Sequence, residues 1–275
     1  MSYLTIYLDG NFQRFLKEDL DQLAPGVLKG RGIFETMRSC DGRVVDFFDH
    51  LQRMQRGLRS YKFSIPWVES DLLRLIGELL SVNGLKNARI RLSVWEEKKT
   101  LRKSIICQPQ GGPSKEKYQT GFHVMIAKRI RNRTRFSHIK SMDYRIFRES
   151  YLEAKRLGFD EALLLNKDKH LVEGTRTNIF FIKENILCTP SVHCGCLNGI
   201  TRQKIIRCAK AIGLRCQWGK FSFRKLKRAQ EAFLTNSLWG VMPLTEIEGK
   251  RIGDRGVGKI TMKLSLEYSR LIKGV

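Results

Sequence analysis

The sequence predicts a mixed α/β chain folded as two domains, and three observations lead there. Strand-like segments of alternating or β-branched character recur along its 275 residues, and segments with apolar side chains at helical spacing fall between them. Pro109-Gln110-Gly111-Gly112-Pro113-Ser114-Lys115 is rich in breakers and lacks apolar residues, which marks a boundary. The expected division is an α/β domain over 1–110, a linker over 111–118 and a larger domain over 119–275. The third observation is Leu171-Val172-Glu173-Gly174-Thr175-Arg176-Thr177-Asn178, a polar turn leading into the strand Ile179–Ile182. A carboxylate at the lip of such a strand needs a cationic or protonated partner. A surface hairpin with an exposed Glu is the alternative reading of this stretch alone.

Residues 3–8 alternate as a first strand, and Asp9-Gly10-Asn11 is a hairpin turn. After a polar stretch comes Gly30-Arg31-Gly32-Ile33-Phe34-Glu35-Thr36-Met37-Arg38, where glycines lead into an extended segment that Asp41-Gly42 turns back. The glycine spacing is not a dinucleotide fingerprint, and an ordinary hairpin explains it equally well. A helix is expected from Asp49, its cap, with Leu51, Met54, Leu58 and Tyr61 on the apolar stripe. Arg53, Arg56 and Arg59 lie off that stripe, on a face that reads as solvated. A second helix covers about 70–82, capped by Ser70, with Leu72, Leu73, Leu75, Ile76, Leu79 and Leu80 as its buried side. Residues 88–95 alternate strictly, a strand with one wet face, and Arg89 and Arg91 either face a cleft or lie on exposed sheet.

Beyond the boundary, a strand at 121–127 precedes a basic crossing with Arg129, Arg131, Arg133 and Arg135. A helix over 145–157 follows, with Phe147, Tyr151, Ala154 and Leu157 on one side and Gly158 as its stop. Residues 160–166 and 171–182 form successive strands, and Glu184-Asn185 turns into 186–189. Leu197-Asn198-Gly199-Ile200-Thr201-Arg202 opens a helix on which Ile205, Ile206, Ala209 and Ile212 repeat, ended by Gly213. A glycine and a hydroxyl at a helix start offer free N–H groups and the positive end of the dipole, which suits a phosphate, with a simple cap as the alternative. Residues 233–243 read as one strand whose Thr235, Asn236 and Ser237 also suit an anion. A final helix spans 259–272.

Composition narrows the function. Apolar residues at 42% and charged residues at 28% belong to an ordinary globular chain. Fifty-one Lys and Arg against 27 Asp and Glu give a net charge of +24. Such charge attracts anions in general, but it is spread along the chain with no nucleic-acid motif. Nucleic acid is therefore not the expected partner, and a non-catalytic basic binding protein is the remote alternative. The seven cysteines form no Cys-x-x-Cys pair, so reduced thiols in a cytoplasmic protein are expected. His193 beside Cys194-Gly195-Cys196 lacks a second ligand pair, and no metal is expected. The first residues read as a strand rather than a signal peptide, and no apolar run approaches a membrane span.

A lysine before a helix, a strand-lip carboxylate and two hydroxyl-plus-N–H cradles are what pyridoxal phosphate requires. With Ile139-Lys140-Ser141-Met142-Asp143-Tyr144, the Glu173–Asn178 stretch and Gly199-Ile200-Thr201-Arg202, the chain resembles the class IV, fold type IV, pyridoxal-phosphate enzymes from about residue 30 to 255. These include branched-chain and D-amino acid aminotransferases and 4-amino-4-deoxychorismate lyase. The resemblance implies an α+β fold with a smaller N-terminal α/β domain and a larger domain built on a mixed, barrel-like sheet. It also implies pyridoxal 5'-phosphate as cofactor, with Lys140 as the amine that carries its aldehyde. Tyr144 would bind the ring oxygen and Glu173 the pyridine nitrogen. Ile200, Thr201 and Ser237 would hold the phosphate together with Arg53, in His50-Leu51-Gln52-Arg53-Met54, and Asn178 ends the Glu motif. A homodimer is implied as well. The usual Pro before Gly-Ile-Thr-Arg is Asn198 here, as in some lyases, and the Asp-Arg-Gly segment common upstream is not recognisable in 12–29.

Within the family, Gly32–Arg38, Asp160–Asn166 and Thr235–Pro243 look most like the lyases. The implied reaction converts 4-amino-4-deoxychorismate to 4-aminobenzoate and pyruvate, a step toward folate. Lys140 would handle the proton, and Thr36 is a candidate for polar help at the leaving group or a structural strand residue. Arg31, Arg38 and Arg91 are candidates to meet the carboxylates of the amino substrate. An aminotransferase acting on branched-chain or D-amino acids with a 2-oxo acid acceptor is the alternative.

Overall fold

The computed structural model describes residues 3–19, 31–253 and 256–273; Gly30 and most of the 12–29 stretch lie outside them. The chain divides into two compact units, Met1–Gly111 with Ile139–Arg145, and Gly112–His138 with Ile146–Val275. The lysine segment therefore groups with the first unit, although its place beyond the sequence boundary predicts the second. Nor is 111–118 wholly a linker, because a helix begins at Lys115, where Ser114 Oγ caps Lys117 N.

The first unit holds one antiparallel sheet in the order β2-β1-β6-β5-β3-β4. Its strands are β1 (Tyr3–Leu8), β2 (Asn11–Leu16), β3 (Gly32–Cys40), β4 (Arg43–Val44), β5 (Ala88–Glu97) and β6 (Thr100–Pro109). The Asp9-Gly10 turn has φ of 49° and 104°, the left-handed pair that a two-residue hairpin demands. Helices α1 (Phe47–Ser60) and α2 (Glu69–Val82) cover one face.

Three local expectations change here. Asp46, not Asp49, precedes α1, and it stands in the left-handed region without a side-chain cap. Val68 takes the place expected of Ser70 at α2. Leu73 is exposed, since the buried side of α2 is Leu72, Leu75, Ile76, Leu79 and Leu80.

The second unit holds α3 (Lys115–Thr120), β7 (Phe122–Ile130), α4 (Arg145–Arg156), β8 (Glu161–Leu165), β9 (Leu171–Gly174), β10 (Asn178–Lys183) and β11 (Ile186–Pro190). It continues with α5 (Ile200–Ala211), β12 (Arg215–Gly219), α6 (Phe223–Lys227), β13 (Glu231–Asn236), β14 (Gly240–Ile247), β15 (Lys250–Arg251) and α7 (Lys259–Lys273). Its mixed sheet runs β12-β11-β10-β13-β14-β7-β8-β9, with β15 on β14 and parallel pairs at β11–β12, β14–β7 and β7–β8. The end strand β9 returns to β10 through the turn 175–177, where Gly174 N donates to Thr177 O at 2.7 Å, so the sheet curls.

Apolar layers lie on both faces of this sheet. Phe181, Leu234, Met242 and Leu244 lead one layer, and Phe180 and Phe233, stacked at 5.0 Å, lead the other beneath α5 and α7. The single strand expected over 233–243 is two, β13 and β14, because Asn236 Oδ1 accepts from Leu238 N and Trp239 N and turns the chain. Leu157, expected on the buried side of α4, is exposed. Among the described residues no helix is long and apolar enough to cross a membrane.

Candidate active site

In the first unit, alternation on β3 divides its side chains between the two faces of the sheet. Glu35 points toward α1, where it meets cations. Arg53 donates from Nε to Glu35 Oε1 and from Nη2 to Oε2, each at 2.7 Å, and His50 Nδ1 donates to Oε2 at 2.8 Å. Burial alone would raise the Glu35 carboxyl, but the Arg53 charge and the two partners' hydrogen bonds outweigh it and hold it at about 2. Burial lowers His50, so the imidazole is neutral with its proton on Nδ1. Arg53 Nη1 makes no hydrogen bond among the described residues. Arg53, read from its helical position as solvated, is buried to 9% exposure because Glu35 compensates its charge.

The opposite face carries Phe34, Thr36 and Arg38, paired in register with Ser93, Arg91 and Arg89 of β5. The segment 140–142 joins the edge of β3: Phe34 N donates to Lys140 O at 3.1 Å and Met142 N to Gly32 O at 2.9 Å. A side chain at Gly32 would come within 2.5 Å of Met142 Sδ, so this close pairing requires glycine. The Phe34 ring gathers the site. Lys140 Nζ lies 4.6 Å and the Arg91 guanidinium 4.5 Å from its centroid, and Tyr144 meets it edge-on at 5.5 Å. Both cations are held by the ring quadrupole. Arg31 stands apart on the surface, bonded to Glu96 and Tyr61 O.

In the second unit, Glu173 on β9 is buried and its Oε2 accepts from Leu197 N at 3.0 Å. Arg131 Nε is 3.9 Å from Oε1, outside hydrogen-bond range but close enough to act through charge. Asn178 Nδ2 donates to Leu197 O at 2.9 Å, so Glu173 and Asn178 together grip the residue that leads into α5. Gly199, the N-cap, has no room for a side chain, since its Cβ would fall 2.1 Å from Asn178 Oδ1. Arg202 bonds Asn198 Oδ1 and Pro190 O, which fixes the same loop from behind. The α5 terminus has no side-chain cap. The Thr201 hydroxyl, and that of Thr235 across the strands from Asn178, are buried and make no hydrogen bond among the described residues.

Comparisons with known proteins give the family and the fold. The family model described as amino-transferase class IV matches residues 32–247. The chain belongs to the class IV aminotransferases. Its relatives include a Methanocaldococcus jannaschii protein provisionally named branched-chain-amino-acid aminotransferase, 30% identical over 96% of this chain and 95% of its own length. Another is the aminodeoxychorismate lyase of Bacillus subtilis, 28% identical over 98% of this chain and 95% of that one. A branched-chain amino acid aminotransferase of T.th., solved with pyridoxamine 5'-phosphate, shares the fold with a TM-score of 0.87 at 23% identity, covering all of this chain and 95% of its own. This class IV chain is accordingly an enzyme of a pyridoxal-phosphate-dependent family, which overturns the non-catalytic reading of its basic composition.

The residues present fit that family's cofactor. An uncapped helix start beside two buried, unsatisfied hydroxyls is a place for a phosphate, and Ser237 lies in the turn after β13. Glu173, backed by a backbone N–H and by Arg131, suits a ring nitrogen that carries a proton. Lys140 has the Phe34 ring beside it.

Sequence reasoning missed Glu35, His50, Phe34 and Arg131; Thr235 figures there only as one of three side chains suited to an anion. Phe34 and Glu35 stand in the sequence only as members of a motif, and their partners lie 15 or more residues away. Arg131 sits in an irregular crossing that carries no periodic signal. No group of three or more metal-ligating side chains occurs among the described residues. Cys194 and Cys196 are buried and bond backbone carbonyls, and burial pushes the Cys196 thiol up to about 12.

Proposed function

We propose that this class IV enzyme binds pyridoxal 5'-phosphate and acts as an aminodeoxychorismate lyase, forming 4-aminobenzoate and pyruvate. The observation that carries the reading is the β3–β5 face beside Lys140. Phe34 holds both Lys140 and Arg91, and the neighbouring positions in register are a hydroxyl, Thr36, and two further cations, Arg38 and Arg89. A face so charged favours an amino substrate with more than one carboxylate over an aliphatic side chain. The 28% identity to a lyase over nearly the whole chain is in keeping with it.

When bound, the cofactor supplies an electron sink through its protonated ring. Glu173 keeps that ring protonated, and Asn178 keeps Leu197 and the start of α5 in position for the phosphate. Lys140 removes the proton at the carbon bearing the amine, the ether bond to the enolpyruvyl group breaks, and a proton returns to the departing pyruvate carbon. Thr36 offers a hydroxyl toward the leaving oxygen, and Arg91 and Arg38 meet one of the carboxylates. No water is consumed.

The test is product formation by purified enzyme given 4-amino-4-deoxychorismate without any 2-oxo acid. Equal amounts of pyruvate and 4-aminobenzoate are expected, and dominant amino transfer to 2-oxoglutarate would overturn the lyase reading. Borohydride trapping should label Lys140 and no other lysine.

The second reading is a branched-chain aminotransferase. It is favoured by the 30% relative and by the apolar cluster of Leu4, Ile6, Leu8, Trp95, Ile106 and Met142 that also includes Phe34.

A further inference from the structure

Arg176 is the one cation on the Glu173–Asn178 turn, and nothing above gives it a role. Its guanidinium carbon lies 3.6 Å from the centroid of Tyr151 and 5.1 Å from that of Trp239, both in its own unit. The residue is exposed, and its guanidinium makes no hydrogen bond to any described residue.

The backbone beneath it is fixed from three sides. Arg176 N donates to Glu161 Oε2 at 3.3 Å, and Asn236 Nδ2 donates to Arg176 O at 3.5 Å. The neighbouring Thr175 and Thr177 hydroxyls both donate to Glu161.

Stacking covers the face of a guanidinium and leaves its edge, where all the N–H groups lie, open to solvent. An edge of that kind is a planar fork matched to a carboxylate. Because aromatic rings and a pinned turn already hold it, little rotamer freedom is lost when an anion arrives. Its location ties it to the site: Arg176 is three residues past Glu173, and Trp239 is two past Ser237.

We infer that Arg176, braced by Tyr151 and Trp239, is a carboxylate-binding subsite that reads a second carboxylate on the amino substrate. The inference rests on the proposed two-carboxylate substrate but not on which bond of it is broken.

The experiment uses holoenzyme of the wild type, Arg176→Gln and Arg176→Lys, with glutarate and propionate as competing probes. Arg176→Gln should raise KM for the two-carboxylate substrate, and weaken glutarate inhibition, about 10- to 100-fold. Propionate inhibition, kcat and the cofactor absorbance should stay at wild-type values. Arg176→Lys, which keeps the charge and loses the fork, should fall between.

Unchanged glutarate inhibition overturns the inference, and so does an equal loss for glutarate and propionate. Loss of cofactor absorbance overturns it too, since Arg176 would then serve the phosphate. A fall in melting temperature as the sole effect assigns it a structural role instead.

Glutarate inhibition can be read against whichever reaction the enzyme runs. Absence of 4-aminobenzoate therefore removes the lyase reading alone, and an unaltered glutarate response removes the subsite alone.

Discussion

Glu35 in the first unit and Glu161 in the second are both completely buried, and the protein holds them by opposite means. Glu35 faces a guanidinium in bidentate contact and a neutral imidazole. Glu161 meets neutral donors: the N–H groups of Ala162, Thr175 and Arg176 and the hydroxyls of Thr175 and Thr177. The consequence is a difference in acidity. Glu35 is held at about 2, whereas at Glu161 burial prevails over the Arg176 charge and the hydrogen bonds, and its carboxyl is raised. A direct ion pair offsets desolvation where several dipoles do not. Glu35 thus locks α1 to β3, and Glu161 shapes the turn that presents Glu173 and Arg176.

Removing one partner of each cluster should separate the two modes. Glu35→Gln strands a buried guanidinium, and a loss of about 3–5 kcal/mol is expected in urea unfolding. The double variant Glu35→Leu with Arg53→Leu should recover much of it. A loss below about 1 kcal/mol for Glu35→Gln would remove the distinction between the clusters.

The pH dependence is the next largest effect. Because the folded Glu35 is depressed from about 4.5 to about 2, its contribution is complete above the ordinary carboxylate value. That contribution is lost as pH falls through that window, about 3 kcal/mol in all. Glu161 has the opposite sign: its contribution is present below the ordinary value and is lost as pH rises through the raised folded value. Urea midpoints from pH 2 to 8 should therefore lose their acid-side fall in Glu35→Gln. They should lose their decline on the other side in Glu161→Gln.

At neutral pH, Glu161→Gln should cost about 1–3 kcal/mol, because an amide cannot accept from every donor around it. It should also weaken glutarate inhibition by loosening Arg176. The smallest change is expected for His50→Asn, below about 1 kcal/mol, since it preserves an N–H donor toward Glu35 while the Arg53 bonds stay. If His50→Asn proved as costly as Glu35→Gln, the imidazole rather than the guanidinium would be the main partner.

Much of the fold was legible locally. The alternation of 88–95, the helical repeats of α1, α2, α5 and α7, and the turns at Asp9-Gly10 and Glu184-Asn185 stand where periodicity and turn chemistry put them. The missed strands include β6, buried over Ser104–Cys107 and central in its sheet, and two others that share a cause. β2 and β12 are edge strands that stay largely exposed, so no buried stripe is written into them. In the sequence β14 reads as one strand with β13, because the Asn236 turn looks like a run of anion-binding side chains.

The sequence by itself determined most of the helices and strands, and it offered Lys140, Glu173, Thr201 and Arg53 as candidate groups, because periodicity and motif are short-range properties. Only the tertiary structure decided which charges are buried and what each one meets. It grouped Lys140 with the Phe34 strand, turned Arg53 from a solvated face into the partner of Glu35, and set Arg176 on two aromatic rings. Burying a charge is tolerable only where a partner compensates it, and here those partners come from distant parts of the chain.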